Sequence, residues 1–370
     1  MTDTKTEFGA VVPLQPGTTA TEQNTIEHKP GTPAATSTGY KSLWERFKEY
    51  TADMKAAPPT VETGFESINK HLKFNGFTML GGASGAGKTS LCLNIALNRA
   101  KKYGFKTVFY SLEMPVFTLV NRLICMDCGK DYIQAADYWQ PAEYMKNIYF
   151  VGGKDMLTGN LPKFDTGENG DLVKTIEQAR GEKQGAGDVL IIIDSLHLLP
   201  ADAADVRAAT NENVIKIRTL TDTYHVNTLV IGQSKRGEKS FEYIGDIYDR
   251  KTGRHDTAQL RAQFRESALI EYAADALFYI LNAPGAEPIK WLCAVKNRIA
   301  DTGINSDQKI IGLEFDGAQY KFTEKYTEID CRKFAAEDAA EDEAKNASSN
   351  GKQTGKQATP PQMTFKSKKK

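Results

Sequence analysis

Cysteine is scarce in this sequence, five in 370 residues, and tryptophan scarcer still, with three. The cysteines Cys92, Cys125, Cys128, Cys293 and Cys331 are odd in number and mostly set in apolar segments. That suits a reducing cytosol better than a disulfide framework. Cys125 and Cys128 have CxxC spacing, but no second pair completes a four-ligand set, so ordinary helix packing is expected of them. Long hydrophobic runs are missing too. The longest, Val189 to Ile193, is far too short to cross a bilayer. The opening MTDTKTEFGA lacks the basic-then-apolar order of a secretory signal, so a cytoplasmic protein with no membrane partner is expected. Net charge is also absent: Lys+Arg and Asp+Glu are both 47. Without a global positive field, any hold on a phosphate backbone must come from local loops or from the surface of an assembly.

What is present is an alternation of strand and helix patterns between two poorly patterned ends. Residues 1–40 are rich in Thr, Pro, Gly and Ala, and residues 335–370 run from acid–alanine repeats through Ser, Gly and Gln to KSKKK. Neither can bury a face, so both are expected to be disordered tails. Residues 41–57 carry Leu43, Trp44, Phe47, Tyr50 and Met54 at helical spacing, which predicts an amphipathic helix. From residue 60 to 327 the order is regular. GFTML, KTVFYSL, Asn147 to Val151, DVLIIID, NTLVIG, DALFYIL and WLCAVKN read as strands, and IIGLEF with YKFTE as a closing hairpin. Helices are expected over Leu91 to Ala100, Val116 to Asp127, Asp171 to Lys183 and Asn211 to Tyr224, with Gly104 and Gly129 as stops. Strands with helical crossovers predict an α/β domain with a mostly parallel central sheet flanked by helices.

One motif is specific. Gly82-Ala83-Ser84-Gly85-Ala86-Gly87-Lys88-Thr89 is a full G-x-x-x-x-G-K-T, lying between a strand and a helix that Ser90 continues. Its glycines let backbone N–H groups turn in on phosphates, and the helix that follows points its positive end at the anion. Lys88 would reach the β- and γ-phosphates of ATP, and the Thr89 hydroxyl would ligate Mg²⁺.

Two acids stand where a parallel sheet binds ligands, beyond the carboxyl ends of its strands. Asp194 follows Val189 to Ile193 and suits the outer-shell magnesium role; Glu113 follows Val108 to Leu112 and suits the base that polarises the attacking water. A strand-end carboxylate capping a neighbouring helix is the plainer alternative for either. Gln233 ends NTLVIG in the same way, where a neutral amide can bond a γ-phosphate or water.

Several motifs in order then resemble a known family. They are TGF at Thr63 to Phe65, the phosphate loop, SLEM at Ser111 to Met114 and IDSLHLL at Ile193 to Leu199. GQSKRG follows at Gly232 to Gly237, RESALIEYAADA at Arg265 to Ala276, and KNR at Lys296 to Arg298. Over Thr63 to Glu324 the chain is similar to the ATPase domain of DnaB-type replicative helicases, which are hexameric RecA-like motors.

The resemblance implies a RecA-like fold, with Glu113 as catalytic glutamate, Asp194 as magnesium aspartate and Gln233 as γ-phosphate sensor. It also implies that Lys296 and Arg298 reach a neighbouring subunit's ATP across a ring interface. Arg265 and Glu266 match a channel loop that touches DNA, though Ala268 stands where the family's usual glycine would be. Between Gln233 and Arg265 the chain carries Lys235, Arg236, Lys239, Arg250, Lys251, Arg254 and Arg261, which reads as a long basic loop, either a nucleic-acid contact through Arg236 or a mobile surface excursion.

The family's N-terminal collar is not recognisable, and the helix at 41–57 matches its ring-holding linker. The leading expectation is an ATP-hydrolysing motor on single-stranded DNA, a helicase of a phage or mobile element working with other replication proteins. An accessory ATPase that remodels DNA or a partner without unwinding is the alternative, and a non-catalytic nucleotide-gated module a third.

Overall fold

The computed structural model describes residues 61–132, 142–152, 170–181, 189–201, 205–232, 241–249, 254–264, 268–283, 288–298 and 310–324. It also describes residues 43, 134, 140, 164 and 166. The expected tails, and all of the 41–57 helix except residue 43, lie outside these.

Nine strands form the central sheet. They are β1 (Phe77–Gly82), β2 (Lys106–Ser111), β3 (Ile148–Gly152), β4 (Val189–Asp194) and β5 (Asn227–Ile231), followed by β8 (Ala276–Asn282), β9 (Ile289–Asn297), β10 (Ile310–Asp316) and β11 (Lys321–Thr323). Across the sheet the order is β11-β10-β9-β8-β1-β5-β4-β2-β3. The pairs from β8 through β3 are parallel, whereas β9, β10 and β11 add in antiparallel fashion. The sheet is therefore mostly parallel, as the strand and helix alternation predicts.

Continuous apolar runs are what a sheet covered on both faces requires. Successive residues of β4 serve opposite sides: Ile191 and Ile193 join one core with Leu172, Ile217 and Trp291, while Leu190 and Ile192 join the other with Leu91, Ile95 and Phe278. Each such large aliphatic side chain contributes about 1.5–3 kcal/mol on leaving water.

Helix α1 (Lys88–Asn98) was expected to bury one stripe. In the structure Leu91, Cys92, Leu93, Asn94, Ile95, Ala96 and Leu97 are all buried. The reason is a second layer over its outer face: Asn94 Oδ1 accepts Phe322 N at 2.7 Å, pinning the β10–β11 hairpin onto the helix. A further turn, Arg99–Tyr103, carries the helix to Gly104, whose φ of 67° ends it as expected.

Helix α2 (Val116–Cys128) stops at Gly129 and carries Cys125 and Cys128 as free thiols, Cys125 buried. Helix α3 (Asp171–Arg180) ends earlier than the expected Lys183, because Gly181 takes a φ of 64°. Helix α4 (Val206–Thr223) begins ahead of the expected Asn211, because Asp205 caps it by accepting Arg207 N and Ala208 N at 3.1 and 3.2 Å. The short α5 (Ala268–Ala273) leads into β8.

The segment read as a long basic loop is folded over much of its described length. It holds a two-stranded ribbon, β6 (Tyr248–Asp249) with β7 (Arg254–His255), between helical turns at Ile244–Ile247 and Thr257–Phe264. Phe241, Ile244, Ile247, Leu260 and Phe264 tie it into the core. Asn282 N donates to Glu242 O at 2.8 Å, which fastens it to the end of β8.

Candidate functional site

Strand β1 delivers the glycine-rich loop and α1 takes it up, so the loop is fixed at both ends. Gly87 has a φ of 99°, and a Cβ there would meet the Phe322 ring at 3.0 Å. No other residue type fits that position without moving the hairpin. The Lys88 ammonium donates to the carbonyls of Gly82 and Ala83, both at 2.8 Å, which places its charge at the centre of the loop. Burial pushes the Lys88 ammonium below its ordinary value, with Glu113 and Asp194 opposing the shift.

Asp194 closes β4 beside the loop. Its Oδ2 accepts the Thr89 hydroxyl at 2.8 Å, while its Oδ1 is buried with no hydrogen-bond partner among the described residues. A buried carboxylate oxygen left unbonded is costly unless something of opposite charge faces it. The pair Thr89–Asp194 therefore fits the divalent cation that accompanies a nucleoside triphosphate. The Asp194 carbonyl accepts Leu112 N at 2.7 Å and Glu113 N at 3.2 Å, so the turn after β2 is tied to the turn after β4. That tie sets the exposed Glu113 side chain on the wall of a cavity of about 290 Å³, together with Lys88, Thr89, Arg122 and Tyr320.

Burial pushes the Asp194 carboxyl up to about 6, with Glu113 acting in the same direction and the Thr89 hydroxyl and Lys88 against it. The folded value thus lies above the unfolded value near 3.9, so the folded chain holds the proton between about pH 4 and pH 6. Stability contributed by this group is present below that window and is lost as pH rises through it, by about 3 kcal/mol in all. In magnesium-free buffer, Asp194→Asn should therefore gain stability over the wild type as pH is raised from 4 to 7, as read from denaturant midpoints. A difference that stays flat across that range would mean the carboxylate is not strained by burial.

The far wall of the cavity was not anticipated. The pinned hairpin supplies Phe315, Gly317 and Tyr320, and α2 supplies Arg122, whose guanidinium lies 4.8 Å from the centre of the Tyr320 ring. A flat aromatic and cationic surface beside a phosphate loop is suited to a planar base. The aromatic residues flanking the Gly317 turn were the only signal in the sequence.

Lys296 and Arg298 do not line this cavity. Ala276 pairs with Asn297, and Thr78 with Ala276, so the end of β9 is level with the start of β1. Gly82 lies four residues further along β1, roughly 13 Å at 3.3 Å per residue. Within one copy of the chain the two cations thus sit at the edge of the sheet opposite the phosphate loop. There Lys296 Nζ donates to Ala274 O at 2.7 Å and to Glu271 O, and Arg298 Nη2 donates to Tyr272 O at 2.8 Å. Gln233, Arg236, Arg265 and Glu266 lie outside the described residues. Among the described residues no helix is long and apolar enough to cross a membrane.

Comparison with known proteins agrees with this fold. The chain is 24% identical over 228 residues to a probable plasmid replicative DNA helicase of Chlamydia psittaci, covering 59% of this chain and 45% of that protein. It is 23% identical over 230 residues to the replicative DNA helicase DnaB of Pasteurella multocida (strain Pm70), covering 60% and 46%. The chain spans about half the length of the curated relatives it matches. Among solved structures a DnaB-like replicative helicase, described with its interactions with primase, has the same fold. The TM-score is 0.51 at 17% identity, over 77% of this chain and 68% of that one. The profile of the DnaB-like helicase C terminal domain matches residues 60–284, which takes in the phosphate loop, Glu113 and Asp194 and stops short of Lys296 and Arg298. The chain belongs to the DnaB-like helicase C-terminal domain family.

Proposed function

We propose that the protein is an ATP-hydrolysing motor that assembles copies of itself into a ring around single-stranded DNA and unwinds duplex ahead of it, as a replicative helicase of a phage or mobile element. The observation that carries this reading is the division of the catalytic set. Lys88, Thr89, Glu113 and Asp194 gather at one edge of the sheet, and Arg298 stands at the other. A complete site then requires a second copy, and a closed ring supplies one to every site.

Loop amides and Lys88 would hold the triphosphate, with Tyr320 and Arg122 beside the base. Thr89 and Asp194 would hold Mg²⁺, which would supply positive charge to offset that of the phosphates. Water attacks the γ-phosphorus as its bond to the bridging oxygen breaks, and Glu113 takes the water's proton. Arg298 from the adjacent copy stabilises the charge that develops on the transferred group. Similarity to a probable plasmid replicative helicase supports the mobile-element source, and family membership supports DNA as the track.

Strand displacement from a forked duplex, with and without ATP, tests the whole reading. Single-stranded DNA should raise ATP turnover severalfold, and displacement should require hydrolysis. Turnover indifferent to DNA, together with no displacement by assembled protein, would leave an accessory ATPase in its place.

A further inference from the structure

The carboxyl end of α5 gathers an unusual number of cations. A helix this short leaves its last carbonyls without backbone partners, and here side chains from two other elements take them. Lys296 takes Glu271 and Ala274, Arg298 takes Tyr272, and Arg218 of α4 takes Ala273 at 3.2 Å. Two residues past the helix comes Asp275, and both of its carboxylate oxygens are in use. Oδ2 accepts Phe77 N at 3.0 Å and Arg218 Nη1 at 2.8 Å, while Oδ1 accepts Arg298 Nη1 at 3.3 Å. The approach is close: Gly76 has a φ of 54°, and a Cβ there would collide with Asp275 Oδ2. The carboxylate is thus set rigidly in the fold, whereas the Arg298 side chain is 50% exposed.

We propose that Asp275 is a positioning residue that holds Arg298 folded back on its own subunit, and so sets how readily this cation is surrendered to the nucleotide of a neighbour. This rests on the proposed delivery of Arg298 across a subunit interface. Both terminal nitrogens of Arg298 are bonded within the subunit, to Asp275 and to Tyr272 O, yet these are the groups that would grip a phosphate. The hold is weak by construction. It is long at 3.3 Å, partly exposed, and made to a carboxylate already shared with Arg218. An exposed ion pair of this kind is readily displaced by a triphosphate that carries several charges. Arg218 therefore tunes the latch by drawing Asp275 charge away from Arg298.

Asp275→Asn isolates the effect. Its amide oxygen can still accept Phe77 N and Arg218, which leaves an NH₂ group facing Arg298 where a carboxylate oxygen stood. In full-length protein, kcat without DNA should rise about two- to fivefold with KM for ATP unchanged, the weight of one exposed ion pair. Stimulation by single-stranded DNA should shrink by the same factor, and Asp275→Glu should restore the wild-type ratio. Arg218→Gln should shift the DNA-free rate the other way, because Asp275 then binds Arg298 alone. The double variant Asp275→Asn/Arg298→Ala should be no faster than Arg298→Ala.

Equal loss of rate with and without DNA in Asp275→Asn would overturn the latch, as would a rise that survives in the double variant. If Arg298→Ala alone leaves turnover intact, the interface delivery itself is wrong and the latch falls with it. If Arg298→Ala is inactive while Asp275→Asn is unchanged, only the latch is refuted.

Discussion

Glu113→Gln should leave ATP bound and reduce its turnover by about 10²–10⁴-fold, the range for removing a general base. The variant is close to isosteric, and the backbone that carries it is fixed independently of its side chain by the Glu113 N to Asp194 O bond at 3.2 Å. Neither Lys88, which lies in the loop, nor the Thr89–Asp194 pair at 2.8 Å depends on the Glu113 carboxylate for its position. Nucleotide affinity, measured by titration with a fluorescent ATP analogue, should therefore stay within a few-fold of wild type while single-turnover hydrolysis collapses. A Gln variant that hydrolyses at near the wild-type rate would show that the attacking water is activated elsewhere. It would return Glu113 to the plainer status of a carboxylate closing a strand.

The legible parts of this site were those whose chemistry is local. The phosphate loop announces itself because one stretch of backbone performs the task, and Asp194 follows because a buried parallel strand can end in a carboxylate only where something compensates it. Thr89 and Asp194 were each given a magnesium role, and the bond that joins them across 105 residues of chain appears only in the structure. The parts that stayed hidden depend on distant pairings. Tyr320 reaches the cavity only because Asn94 fastens its hairpin to α1, and nothing near Tyr320 in the sequence says so.

The basic stretch before Arg265 misled for the opposite reason. Its lysines and arginines outweighed a sparse apolar set, Phe241, Ile244, Ile247, Leu260 and Phe264, that anchors it to the core. Asp275 lay inside a motif that was recognised, but its bonds are visible only where α4, α5, β1 and β9 meet. Capping shifts of a few residues, at Asp205 and Gly181, reflect side-chain and φ requirements that periodicity does not register.

Arg298→Ala should be as damaging as loss of the base, by about 10³-fold or more in kcat, since a cation supplied to the transferring phosphoryl group is worth that much. Magnitude alone cannot distinguish a cation acting on its own subunit from one acting on the next. A mixture can, because the sheet register puts Arg298 level with the start of β1 and Lys88 beyond its end. Neither Arg298→Ala nor Glu113→Gln should be appreciably active by itself. In a ring built from both, an interface is whole wherever an Arg298→Ala copy, with its intact Glu113, faces the intact Arg298 of a Glu113→Gln copy. Random assembly makes about a quarter of the interfaces whole, so co-assembled inactive variants should recover turnover of that order if the sites act independently. Recovery should rise and fall with the mixing ratio, peaking near equal amounts, and should vanish when the subunits are diluted below assembly. A mixture that stays inactive although the rings are mixed would count against delivery of Arg298 between copies, since the register holds it away from Lys88 within one copy.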